Sequence, residues 1–278
     1  PYVAKVLDEF GAHVRFSGTL TPLSLYQTLH GYPQAPSERV ASGFTASQLG
    51  LFIVTDISVL YRDRARSLSA LAQLLASGIA AKPGNYLIAL PSFAYLEQLC
   101  GQLRADHPDL DLLIQERALS VAQRQAFLDQ FTPDSCRIGV VVLGGVFAES
   151  VDFPDGLLKG VFCVGLGLPP AEPVREAIAA RFDGEPDADG ATVAYQLPAM
   201  QKILQTAGRL LRGPEDRGVI CLVDGRFRQS QYQRFFPDHW QPHNLRAAGL
   251  SAELEKFWQA EQALPRLAAP QLPNRIQQ

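Results

Sequence analysis

Five stretches of the chain are apolar with little interruption: LFIVTDI (51–57), NYLIALPS (85–92), RIGVVVLGG (137–145), GVFCVGLGL (160–168) and GVICLVDG (218–225). A strand wetted on one face alternates apolar and polar residues; a strand covered on both faces need not. Runs of this length without alternation therefore predict strands of a mainly parallel sheet. Between them, apolar residues recur at three- and four-residue spacing in SLSALAQLLASG (67–78), FAYLEQLCGQL (93–103) and SVAQRQAFLDQF (120–131), the last with Ser120 placed to cap a helix. Strands alternating with helices predict an α/β domain, doubly wound, with helices flanking the sheet.

The clearest helical pattern runs over 199–212. Pro198 stands at its first turn, Met200, Ile203, Leu204, Ala207, Leu210 and Leu211 form its apolar stripe, and Gly213-Pro214 stops it. On a helix of that length Gln205, Gly208, Arg209 and Arg212 share one face at i, i+3, i+4 and i+7. A solvated face explains the two charges. It does not explain Gly208, which inside a helix costs about 1 kcal/mol relative to alanine, so the glycine points to a close approach to the backbone. RFDGEPDADGAT (181–192) has no periodicity and reads as a solvated loop; LPRLAAPQLPNRIQQ (264–278) is Pro-rich and reads as a tail.

Composition narrows the chemistry. With 278 residues, 47% hydrophobic and 19% charged, the chain has the material for one large domain or two small ones, and a net charge of −3 supplies no global basic field. Any nucleic-acid contact must come from local arginine clusters. Cys100, Cys136, Cys163 and Cys221 are widely spaced, three of them inside apolar runs, and read as core thiols of a reducing compartment rather than a disulfide or zinc set. No apolar run has the length of a membrane span and PYVAKVLDEF lacks the features of a signal peptide, so a cytoplasmic protein is expected. The start at Pro rather than Met points to a fragment.

Arginine suits phosphate because its planar fork donates several hydrogen bonds and stays charged. The helix carrying Arg209 and Arg212 lies between buried strands of a parallel sheet, and such sheets gather ligands at strand ends. QTAGRLLRG (205–213) resembles motif VI of superfamily 2 helicases, and three further segments narrow the likeness to the XPD/DinG type of DNA helicase: FSGTLTPL (16–23) resembles motif III, NYLIALPSFAYLEQL (85–99) motif IV and GVFAESVDFPDG (145–156) motif V. GVICLVDGRF (218–227) resembles the strand and turn that follow motif VI. The likeness covers about three quarters of the chain. No GxxxxGK[ST] phosphate loop occurs, and LDEFGAH (7–13) is not a DEAH box, because its His is too far from Asp8-Glu9 and no apolar strand precedes it; it reads as the end of a helix.

The resemblance implies a RecA-like second helicase domain over 25–245, preceded by the end of the first domain with motif III (1–24) and followed by a C-terminal helix and tail (246–278). It implies an ATP-dependent DNA helicase, 5′ to 3′, acting in repair, whose phosphate loop, Mg2+ ligands and iron–sulfur cluster lie upstream; no metal site is expected in this chain. By the same resemblance Arg209 and Arg212 contact the β/γ-phosphates with Gln205 aligning that edge and Gly208 beside them, and Glu149 and Asp152 brace the nucleotide side. Ser150 stands where the family usually has Gly. Ser17, Gly18 and Thr19 couple nucleotide state to DNA movement, or satisfy a local turn. Arg64, Ser92 and Phe93 face DNA, or Arg64 joins Arg62 and Asp63 in a local charge cluster. The rivals are a RecA-like scaffold that has lost catalysis, which the intact Gln205, Arg209 and Arg212 oppose, and a different α/β nucleotide enzyme, which the missing phosphate loop opposes.

Overall fold

The computed structural model describes residues 2–45, 47–149, 156–184 and 188–260. All five expected strands form: β1 (Leu49–Val54), β2 (Asn85–Leu90), β4 (Ile138–Val142), β5 (Leu158–Val164) and β6 (Gly218–Val223), joined by two short edge strands, β3 (Leu112–Ile114) and β7 (His243–Leu245). The sheet order is β3-β4-β2-β5-β6-β1-β7, and every pairing is parallel, with Leu51 opposite Ile220 and Ile88 opposite Phe162. The edge strands left no signal in the sequence because three residues, half-covered in β3 and mostly exposed in β7, make no continuous apolar run.

Side chains alternate across the pleat and divide the interior into two cores. Leu51, Ile53, Leu87, Val141, Val161, Ile220 and Leu222 meet Met200, Ile203 and Leu204 of α8 (Leu197–Ala207), with α2 (Leu23–Leu29), α5 (Val121–Leu128) and α6 (Val146–Glu149) on the same face. Phe52, Val54, Tyr86, Ile88, Phe162, Val219 and Cys221 meet α3 (Arg64–Ala80), α4 (Phe93–Asp106) and α10 (Leu250–Gln259) on the other. The remaining helices, α1 (Tyr2–Leu7), α7 (Pro173–Arg181) and α9 (Ser230–Gln233), are short. This is a RecA-like doubly wound domain.

Local chemistry follows the sequence in several places. Ser120 makes a full capping box with Gln123 at the start of α5, and α1 ends at Leu7 ahead of Asp8-Glu9, as the helix-end reading of LDEFGAH expects. Cys100, Cys163 and Cys221 are buried free thiols, burial pushing Cys100 up to about 11 and Cys163 up to about 12; Cys136 is exposed. Residues 188–192 depart from the reading of 181–192 as a solvated loop. Ala188 and Thr192 are buried, and Asp189 accepts the Thr192 backbone N–H (3.0 Å) and hydroxyl (2.5 Å), opening a π-helical turn (Thr192–Gln196) that feeds α8. Tertiary burial, not local periodicity, orders that stretch. The tail from 264 lies outside the described residues, and among those described no helix is long and apolar enough to cross a membrane.

Candidate functional site

The arginine segment is not the helical face its spacing predicts. α8 ends at Ala207, and Gly208 is its C-cap in ordinary right-handed geometry (φ −65°, ψ −6°), its N–H donating to Leu204 O at 2.8 Å. The expected interior-helix cost of glycine therefore does not arise. A Cβ on Gly208 would stand 3.0 Å from Leu204 O, so the nearest close approach is made by the preceding turn of the chain itself. Arg209 and Leu210 continue with i to i−3 bonds to Thr206 and Ala207 (3.3 and 3.1 Å), a tighter turn that drives Leu210 inward. Leu210 is 2% exposed and packs where Gly218 has no side chain: a Cβ there would lie 2.5 Å from the Leu210 methyl. With Leu210 buried, Arg209 is left half-buried and Arg212 exposed.

α8 returns from the carboxyl end of one strand toward the amino end of the next, so its C-terminal arginines lie at the amino ends of β6 and β1. Gln48, which precedes β1, donates its side-chain amide to Pro214 O (2.9 Å) and Asp216 O (3.1 Å).

At this amino-end edge a cleft of about 1370 Å³ is lined by Gln205, Gly208, Arg209 and Arg212 on one side and by Ser17, Gly18 and Thr19 on the other. Segments nearly 190 residues apart in sequence thus share one cavity. Ser17 Oγ and Thr19 Oγ1 lie 3.2 Å apart, and the Thr19 N–H donates to Ser17 Oγ at 3.2 Å, so these hydroxyls close a local turn while facing the cleft. Tyr26 of α2 accepts a hydrogen bond from Gln201 of α8 (2.9 Å), tying the N-terminal segment to the arginine-bearing helix.

The opposite, carboxyl-end edge gathers the other predicted residues. Ser92 caps α4, its hydroxyl accepting the Tyr95 N–H at 3.3 Å. Arg64 packs over the Tyr95 ring at 4.4 Å and donates Nε to Val59 O at 3.3 Å; burial pushes the Tyr95 hydroxyl up to about 12, with the Arg64 charge opposing. Asp63 receives Arg66 (2.9 Å) and the Ser58 hydroxyl (2.7 Å), so the local charge cluster forms around Arg66. Phe93 lies under the Arg117 guanidinium at 4.8 Å, in a cavity of about 520 Å³ that also takes in Ser120, Arg124 and Gly145. Arg117 escaped the sequence reading: only the return of β3 beside α4 brings it to Phe93. α6, ending at Glu149, follows β4 at this edge, and the chain reappears at Gly156 beside the arginine edge; Ser150 and Asp152 lie outside the described residues.

The profile of a family described as "Helicase C-terminal domain" matches residues 75–243. The chain belongs to this helicase family. It is 25% identical over 245 residues to the ATP-dependent DNA helicase CHL1 of Meyerozyma guilliermondii, an alignment covering 78% of this chain and 30% of that protein. The regulator of telomere elongation helicase 1 homolog of Anopheles gambiae is 24% identical over 243 residues, covering 78% and 24%. Among solved structures, one titled XPD helicase superposes with a TM-score of 0.62 at 20% identity, covering 82% of this chain and 42% of that one. This helicase domain therefore spans less than a third of either curated relative.

Proposed function

We propose that the chain is the C-terminal motor domain of an ATP-dependent DNA helicase, in which Arg209 and Arg212 reach the β/γ-phosphates of a nucleotide held between this domain and one encoded upstream. The observation that carries this reading is the single cleft shared by Ser17-Gly18-Thr19 and Gln205, Gly208, Arg209 and Arg212. Guanidinium, amide and hydroxyl groups fit phosphate oxygens; they do not fit a divalent cation. Carboxylates of Asp8, Glu38 and Asp238 also line this cleft, and Mg2+ shared with the upstream domain belongs to the same reading; Asp152 is kept on the nucleotide side, whereas Glu149 ends α6 at the opposite edge. We retain residues 1–24 as the end of the first RecA-like domain and 25–245 as the second. Movement 5′ to 3′, a role in repair and an upstream iron–sulfur cluster belong to the same reading.

Binding would use both edges. Strands of six residues separate them by about 20 Å, so nucleotide at the arginine edge and DNA at the edge carrying Arg64, Ser92 and Phe93 do not compete for space.

The isolated 278-residue chain is expected to fold but to show no DNA-stimulated ATP hydrolysis, since the cleft supplies guanidinium groups and no phosphate loop. The full-length protein is expected to hydrolyse ATP in response to single-stranded DNA. Steady turnover by the purified chain, lost on Arg209→Ala, would overturn the two-domain site.

At the opposite edge, Arg64→Ala and Arg117→Ala in the full-length protein should each lower the slope of log K against log salt by about 0.7, one phosphate contact on a single strand. Melting temperature is read alongside, because Arg64 also packs on Tyr95. An unchanged slope with a lowered melting temperature assigns Arg64 to packing alone.

A further inference from the structure

A buried carboxylate holds the backbone beside Arg212. Asp216 is 7% exposed, and its Oδ2 accepts two consecutive backbone N–H groups, those of Arg212 (2.7 Å) and Gly213 (2.8 Å). A buried carboxylate needs such donors, and charge-assisted bonds of this length are about twice as strong as neutral ones. The turn that brings Asp216 back is local: Gly213-Pro214-Glu215-Asp216 closes with Asp216 N–H to Gly213 O at 3.1 Å, proline occupying the position whose φ it presets. The far side of the carboxylate faces Gly156, where the segment from β4 arrives at the arginine edge; at φ +69° that glycine brings its backbone so close that a Cβ would lie 3.2 Å from Asp216 Oδ1. Gln48 holds the Asp216 carbonyl from β1.

From this geometry we infer that Asp216 is a positioning residue for phosphate chemistry at Arg212: it fixes the Arg212 backbone against the sheet edge, with Gly156 packed against its other oxygen. The inference rests on the proposed role of Arg212. A guanidinium at the end of a long side chain is placed only as well as its backbone, and a misplacement on the scale of 1 Å costs roughly 10²-fold in rate. Asp216 thus acts on turnover through Arg212, with little effect on how tightly nucleotide is held.

The test is a mutant cycle in the full-length protein, reading kcat and KM for ATP in DNA-stimulated hydrolysis together with melting temperature. Asp216→Ala is expected to lower kcat by roughly 10-fold to 10²-fold with KM within about twofold, and to add nothing further in an Arg212→Ala background. Asp216→Asn, which keeps an acceptor oxygen in the same shape but not its charge, should lose only a few fold in kcat. Should Asp216→Ala fail to fold, Asp216→Asn carries the cycle: a loss of a few fold that vanishes beside Arg212→Ala supports the inference. Losses that multiply in the double variant, or a loss in KM rather than kcat, overturn it while leaving the role of Arg212 intact. Normal turnover by Arg212→Ala alone overturns the role of Arg212, and this inference with it.

Discussion

Replacing Arg209 or Arg212 by alanine in the full-length protein is expected to lower kcat for DNA-stimulated ATP hydrolysis by roughly 10³-fold or more, the scale at which an inserted arginine operates in phosphoryl transfer. The magnitude follows from when the charge appears. Negative charge spreads over the transferring phosphoryl oxygens as the leaving oxygen departs, so a fixed guanidinium acts more strongly on the transition state than on bound ATP. Nucleotide affinity should therefore change far less than kcat. Lysine at either position should rescue poorly, because a point charge does not reproduce a bidentate fork. Arg209 is half-buried in the turn after α8 and Arg212 is exposed in the cleft. If the two were only a solvated surface, alanine would leave turnover near normal and change stability by no more than about 0.5 kcal/mol. Measuring kcat, nucleotide affinity and melting temperature on the same samples separates these outcomes, and near-normal unwinding by both alanine variants removes the catalytic reading.

Phe147→Ala is expected to give the largest loss of stability, about 3–5 kcal/mol. Phe147 lies on the four-residue helix α6, is fully buried, and stacks on Phe127 of α5 with ring centroids 4.1 Å apart. A helix of one turn has no stability of its own; packing holds it in place. Truncating this ring opens a cavity between α6 and α5. A domain of this size loses about 2–4 °C per kcal/mol, so the melting temperature should fall by roughly 10 °C. Val121→Ala on α5, at a side chain 79% exposed, is the matched control and should stay within about 0.5 kcal/mol. A melting temperature that Phe147→Ala leaves unchanged would show that α6 is not anchored by this ring.

Much of this protein is legible in its sequence because burial and connectivity write themselves there. Strands covered on both faces, such as Tyr86 to Leu90 and Gly218–Val223, are apolar in continuous runs, so the parallel sheet and its alternation with helices follow from the runs, while the RecA-like class came from the motif resemblance. The motif order similarly brought out the helicase family. Residue types suited to phosphate, arginine above all, were visible as well, since that chemistry depends on the side chain rather than on its surroundings.

Position was decided by the tertiary structure. The spacing of Gln205, Gly208, Arg209 and Arg212 implies one helical face, yet the helix stops at Ala207 and Leu210 turns inward to pack against Gly218. The arginines then fall at the amino ends of β6 and β1, an outcome set by the return path of α8. Asp216 and Arg117 carried no signal, because each is defined by partners that only folding supplies: two backbone amides in one case and the Phe93 ring in the other. Local sequence specifies what an element is made of, through periodicity and propensity. Where a side chain points at an element's end depends on which long-range contacts outcompete the local ones, and those contacts exist only once the sheet has brought its edges together.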